Sequence, residues 1–329
     1  MNGQTAKKYI FHSLKAMVLG LFASLIMGVI LRTLGSELEI PFLDRVGSLA
    51  MEGMGPAIGA AAAWSLGAPP LVLFGCACCG LAGVQGGGPL GALLAGLAAA
   101  ECGRRVSGRT QLDILVTPIA TLLAGCVVAE LAGPPIGSFM RFLGGIVVSA
   151  TQAQPLVAGA VIAVVMGMAM CTPFSSTAIA IMLDMHGTAA GAATVGCCCQ
   201  LVGFAISGYR DNGPSGLVSL GLGCAMLQLP NILRNPYIWL PQILASALLG
   251  PFATTIFPME NMPAGAGMGS SGLVGQLGTI ATMGATPQVF LLMGFFHFLL
   301  PGLLAWIFAG LLRKAGKIHD GDMRVSTTL

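Results

Sequence analysis

The stretch Ala16-Met-Val-Leu-Gly-Leu-Phe-Ala-Ser-Leu-Ile-Met-Gly-Val-Ile-Leu-Arg-Thr-Leu34 contains one charge, Arg32. As a helix rising about 1.5 Å per residue it matches the roughly 30 Å hydrocarbon core of a bilayer. Lys7, Lys8 and Lys15 precede it. The apolar run is too long for the core of a cleavable leader, so it reads as a retained first membrane helix.

Working outward, apolar runs of similar length broken by Pro, Gly or charge recur along the chain. They predict further spans at 48–66, 69–85, 87–102, 112–133, 155–170, 187–207, 216–233, 237–257 and 286–312. The chain is 55% hydrophobic and 8% charged, against roughly 25% charged in soluble domains, so a lipid-facing surface replaces the usual polar shell. The expected fold is an all-α integral membrane domain over 1–329 with about ten transmembrane helices. Residues 1–15 and 313–329 are expected to be short cytoplasmic tails.

Four stretches do not read as spanning helices: 83–91, 134–154, 171–186 and 259–284. With 48 glycines in the chain, glycine-rich re-entrant or hairpin segments are expected, tolerated where protein or water surrounds the exposed backbone. Gly/Pro-interrupted segments in both halves are the usual pointer to a transporter site built from broken helices. GGGPLG in the first half and GSSGLVG in the second hint at such a pairing.

Placing the amino terminus inside puts Lys7, Lys8, Lys15, Arg104, Arg105, Arg109, Arg234, Arg313, Lys314, Lys317 and Arg324 in the cytoplasm. It leaves Arg32, Arg45, Arg141 and Arg210 opposite, a split of 11 against 4 among 15 basic residues. Basic residues concentrate on the cytoplasmic side of membrane proteins, and the split fits an even number of spans. A net charge of +3 argues against nucleic acid as a partner. The cysteines lie in apolar runs without a zinc-like spacing and read as packing residues, so neither metal nor cofactor is expected. Walker, hydrolase-elbow and zinc-protease patterns are absent, so no catalytic centre is expected.

Polar groups at membrane depth are costly and are therefore candidates for solute handling. The segment Gly265-Ala-Gly-Met-Gly-Ser-Ser-Gly-Leu-Val-Gly-Gln276 exposes backbone N–H groups suited to an oxygen-rich solute. Glu260 and Asn261 precede it. Gln228, Asn231 and Asn235 sit among three prolines where a helix should end, and amides both donate and accept. Ser175 and Ser176 form a polar kink, while Gln85 and His297 are polar groups inside apolar stretches. A tight packing turn, helix capping and satisfied interior polar groups are the structural alternatives for these same residues.

At Gln228-Leu-Pro-Asn-Ile-Leu-Arg-Asn-Pro-Tyr-Ile-Trp-Leu-Pro241, Leu249-Gly-Pro251 and the glycine-rich segment, the chain resembles a known family. Gly187-Thr-Ala-Ala-Gly-Ala-Ala-Thr-Val-Gly196, Gln200-Leu-Val-Gly-Phe204, Leu112-Asp-Ile-Leu-Val-Thr-Pro118 and Gly133-Pro-Pro-Ile136 extend the match over most of the chain. It is similar to the EIIC-like membrane proteins of the toxin-regulator (perfringolysin regulator) group.

The resemblance implies the fold of the membrane subunit of sugar phosphotransferase systems, in the bacterial inner membrane, multi-pass, with both termini cytoplasmic. It implies a homodimer moving a small polar, sugar-like solute by alternating access, served by separate phosphotransferase carrier proteins. Glu260, Asn261, Gly269, Ser270, Ser271 and Gln276 match the positions expected to line the site, with Asn231 and Asn235 next. Two departures stand out. Cys224-Ala225 replaces an expected hydroxyl pair, and Tyr209-Arg210-Asp211 adds a charge pair. The 17 residues after Leu312 (329 − 312) are too few for a phosphoryl-carrying domain. A solute sensor that does not transport and a proton-coupled organic anion carrier are the competing functions.

Overall fold

The computed structural model describes residues 3–151 and 154–325. Residues 1, 2, 152, 153 and 326–329, which belong to the predicted tails and to the 134–154 stretch, lie outside the described residues. Among the described residues the structure is helical, with a single isolated β-bridge between Gly187 and Asn261. Among the described residues six helices are long and apolar enough to cross a membrane. Contacts divide the chain into two units, one running to Met140 and the other covering Arg141–Val325.

In the first unit α1 comprises Gly3–Leu21, a π turn Phe22–Ile26 and Met27–Glu37. Helices α2 (Pro41–Glu52) and α3 (Met54–Ser65) together return along it, broken at Gly53. Small residues set the approach: a Cβ at Gly20 would lie 2.7 Å from the Ala57 carbonyl oxygen, and one at Gly28 would lie 2.7 Å from that of Gly47. Close backbone contact of this kind is how helices associate in lipid, where apolar surface provides no driving force between them.

Helix α4 (Pro70–Val106) is two antiparallel arms. Gly88, with φ 56° and ψ −149°, reverses the chain before Pro89. Only glycine adopts this conformation without strain, and the following proline cannot continue the earlier ladder. The arms then pack back on each other, Gly103 against Val72 and Gly83 against Gly91. The stretches 69–85 and 87–102 correspond to the two arms of this hairpin.

Helix α5 (Asp113–Thr151) continues through Pro118, Pro134 and Pro135, so the expected break at Pro134-Pro135, with 134–154 outside a spanning helix, is corrected. Each proline removes one amide donor, but its fixed φ is helical and flanking residues hold the ladder.

The second unit contains α6 (Pro155–Met170), α7 (Ser176–Met182), α8 (Gly187–Ser207), α9 (Tyr209–Val218), α10 (Leu240–Thr255), α11 (Val274–Met283) and α12 (Pro287–Lys314). Seventeen of the 21 residues of α8 are buried, which makes it the axis of the unit. Helix α6 packs on it through Gly167 against Gly196. Helices α10 and α12 meet it through Gln242 and Ala305 against Gly203.

Candidate functional site

Because α8 is central, each segment can be located by the α8 residue it meets. The chain leaving α10 reaches the amino-terminal end of α8, where the Asn261 N–H donates to the Gly187 carbonyl at 3.3 Å. It descends to Gly269, packed on Cys197 and Cys198 at mid-helix, and turns through Gly272 (φ 54°) and Leu273 (φ 60°). It climbs back along α11, where Met283 Sδ lies 3.2 Å from the Glu260 N–H. The expectation of a non-spanning segment at 259–284 therefore describes a hairpin.

Asn261 ties the base of this hairpin. It is fully buried, and its Nδ2 donates to Thr194 Oγ1 (2.8 Å), the Gly275 carbonyl (2.9 Å) and Thr279 Oγ1 (3.2 Å). Its Oδ1 accepts from the Met262 N–H at 2.8 Å. Each bond of a buried amide contributes about 1 kcal/mol net. Glu260, by contrast, is exposed at the hairpin mouth.

A second reversal approaches from the opposite end of α8. After Ser207, α9 turns at Gly213 (φ 59°, ψ −156°), the same glycine-proline device as Gly88-Pro89. The chain continues through a π turn Ser219–Gly223, an extended Cys224 and a short helix Leu229–Arg234. Its two limbs end side by side: Asn212 Nδ2 (2.8 Å) and Gln228 Nε2 (2.7 Å) donate to the same Met323 carbonyl. The predicted span 216–233 is thus corrected. Its hydropathy suits a membrane, but Gly213 and Cys224 break the helix and the chain returns to the end it came from.

The tips of the two reversals meet where Ser270 Oγ donates to the Gly221 carbonyl at 2.5 Å. Around them Gln276 Nε2 lies 3.2 Å from His297 Nδ1 and 3.6 Å from Cys198 Sγ. On the α6 side of α8, Gln200 Oε1 accepts from Trp239 Nε1 at 2.9 Å and from Cys171 Sγ at 3.2 Å. Among the described residues, Ser271 Oγ, Gln276 Oε1, His297 Nε2 and Gln200 Nε2 are buried and have no hydrogen-bond partner. Four such atoms on one core are costly, about 1–3 kcal/mol each when left unpaired. Chemically they combine donors and acceptors, the complement of a hydroxyl-rich solute.

The other predicted residues are placed differently. Ser176 Oγ donates to the Gly267 carbonyl at 2.7 Å and steadies the hairpin from α7, while Ser175 caps α7 by accepting from the Ala178 N–H at 3.1 Å. Gln85 is exposed in the first unit.

Gln228, Asn231 and Asn235 hold the carboxy-terminal segment. Asn231 Nδ2 donates to the Arg324 carbonyl at 2.9 Å. Asn235 Nδ2 donates to the Lys317 carbonyl at 2.9 Å and to Asp322 Oδ2 at 2.8 Å. Asp211 accepts from the Gly321 and Met323 N–H groups at 2.9 and 3.0 Å. Arg210 accordingly lies beside Asp320, Gly321 and Arg324 around a cavity of about 380 Å³. Its predicted place opposite the carboxy-terminal segment is corrected: Arg210 lies on the same side as that segment.

Thr194, Thr279, Gln200 and Asn212 were not singled out as site or anchoring residues. The available signal was a polar side chain inside an apolar run, which Gln200 provides. The threonines carry no such signal, since a hydroxyl can bond back to its own helix, as Thr194 does to Ala190.

A family model described as "Phosphotransferase system, EIIC" matches residues 11–325. No curated protein and no solved structure matches the chain.

Proposed function

The chain belongs to the phosphotransferase EIIC family, and from that premise we propose that it translocates a small polar, sugar-like solute across the membrane by alternating access. The meeting of two opposed reversals at Ser270 and Gly221, beside four unpartnered buried polar atoms, supports this reading. Segments 209–235 and 259–286 act as re-entrant hairpins within a fold of helical spans. Ser271, Gln276 and His297 contact the solute hydroxyls, Asn261 holds the hairpin that presents them, and Glu260 stands at its mouth.

The end of α8 near Ser207 faces the cytoplasm, because Arg210, Arg234, Arg313, Lys314, Lys317 and Arg324 gather there and 155–187 and 256–287 contain no Lys or Arg. Both termini are cytoplasmic on this reading, in a bacterial inner membrane. Separate carrier proteins supply the phosphoryl group and the protein works as a homodimer, as the family implies.

The test is uptake of labelled hexoses into proteoliposomes, with and without soluble phosphotransferase carriers and phosphoenolpyruvate, and with and without a pH gradient. Accumulation of the phosphate ester only with carriers is expected. Gln276→Leu should lower uptake about tenfold, the equivalent of about 1.4 kcal/mol for one buried hydrogen bond. Uptake driven by the proton gradient alone replaces group translocation with coupled carriage. Specific binding without uptake makes the protein a sensor.

A further inference from the structure

At the carboxy-terminal end of α8 a groove of about 830 Å³ opens between α8, α9 and α12. Its wall is apolar along Ile206, Leu217, Ile307 and Leu311, and its rim holds Arg210, Arg313 and Lys314 with no carboxylate among the lining residues. Trp306 and Tyr209 also border it, 60% and 46% exposed. Arg313 is already committed: it pairs with Asp320 at 3.2 Å and donates to the Ser207 carbonyl at 3.1 Å. Among the described residues, Arg210 and Lys314 are found in no hydrogen bond or ion pair and are exposed.

We propose that this groove binds an anionic phospholipid of the leaflet on this side. An apolar trough suits an acyl chain, two uncommitted cations at its rim suit a phosphate headgroup, and Trp and Tyr favour the depth where headgroups begin. The site is separate from the hairpin tips and requires only that the chain be a membrane protein. A soluble anion would match the cations but leave the trough uncovered, so the acyl chain is part of the recognition. The bound lipid packs against α9, the first limb of the hairpin 209–235, and against α12.

The protein is purified in a mild detergent and exchanged against phosphatidylglycerol or phosphatidylcholine with identical acyl chains. Bound lipid is then counted by native mass spectrometry. Wild type should retain phosphatidylglycerol at least tenfold better than phosphatidylcholine. Arg210→Gln with Lys314→Gln should abolish that preference, a loss of roughly thirtyfold for two cations near a headgroup. Gly310→Leu provides a second variant that keeps every charge. A Cβ at Gly310 meets nothing within 4 Å, so the helix tolerates it while the side chain obstructs the trough, and retention should fall. Equal retention of the two lipids overturns the proposal. So does unchanged preference in the double variant, or displacement of phosphatidylglycerol by inorganic phosphate alone. Uptake measurements test the transport reading independently, so failure of one leaves the other standing.

Discussion

Asn261→Ala should unlock the hairpin 259–286 without unfolding the unit. The Asn261 amide has two hydrogens, shared among Thr194 Oγ1, the Gly275 carbonyl and Thr279 Oγ1, and its oxygen accepts one bond from Met262. Truncation therefore removes about three buried hydrogen bonds, worth roughly 3 kcal/mol at about 1 kcal/mol each. Thr194 and Thr279 are not orphaned, since their hydroxyls also donate to the Ala190 (2.8 Å) and Gly275 (3.0 Å) carbonyls. The loss falls on the hairpin base, while the tip at Gly269 covers Cys197 and Cys198, both 0% exposed. Alkylation of Cys198 requires local opening, and its rate follows the open fraction. A loss of roughly 3 kcal/mol raises that rate by about 150-fold. Site-resolved mass spectrometry after labelling with a small neutral alkylating reagent measures it, with the exposed Cys78 as reference. Labelling of Cys198 within about threefold of wild type, at equal Cys78 labelling, would refute the view that Asn261 clamps the hairpin.

Gly88→Ala and Gly213→Ala should each destabilise by about 1–3 kcal/mol, because both glycines hold a conformation other residues enter only with strain. A Cβ has free space at both positions, so the loss is in the backbone alone. In denaturant titration Gly145→Ala, also unobstructed but without a positive φ, should be neutral or stabilising, and a Gly88→Ala midpoint equal to it would contradict the assigned reversal. A stop codon after Lys317 removes the carbonyls and N–H groups that Asp211, Asn212, Gln228 and Asn231 hold. Hydrogen exchange in 209–235 should then accelerate at least tenfold while 259–286 keeps its protection. Unchanged exchange in 209–235 would mean that the carboxy-terminal segment does not restrain it.

Much of the helical content was legible because hydropathy is a local sum. The span predicted at 187–207 coincides with α8, and the run opening at Ala16 lies within α1. The hairpin at 259–284 was visible too, since glycine at that density cannot hold one unbroken helix. Residues 216–233 and 134–154 misled because hydropathy reports preference for lipid, not the direction of the chain. Gly213 reverses it, whereas Pro134 and Pro135 leave α5 continuous.

Ser271, Gln276 and His297, read from the sequence as polar groups at membrane depth, each keep a buried polar atom without a partner among the described residues. Only the tertiary structure separated them from Gln228, Asn231 and Asn235, whose partners are the carbonyls of Met323, Arg324 and Lys317 some 80 to 95 residues away. An amide has the same local signature whether it faces a solute or a distant backbone carbonyl. Its role is decided by which hydrogen-bond partner the folded chain brings within 3 Å, and no local pattern encodes that.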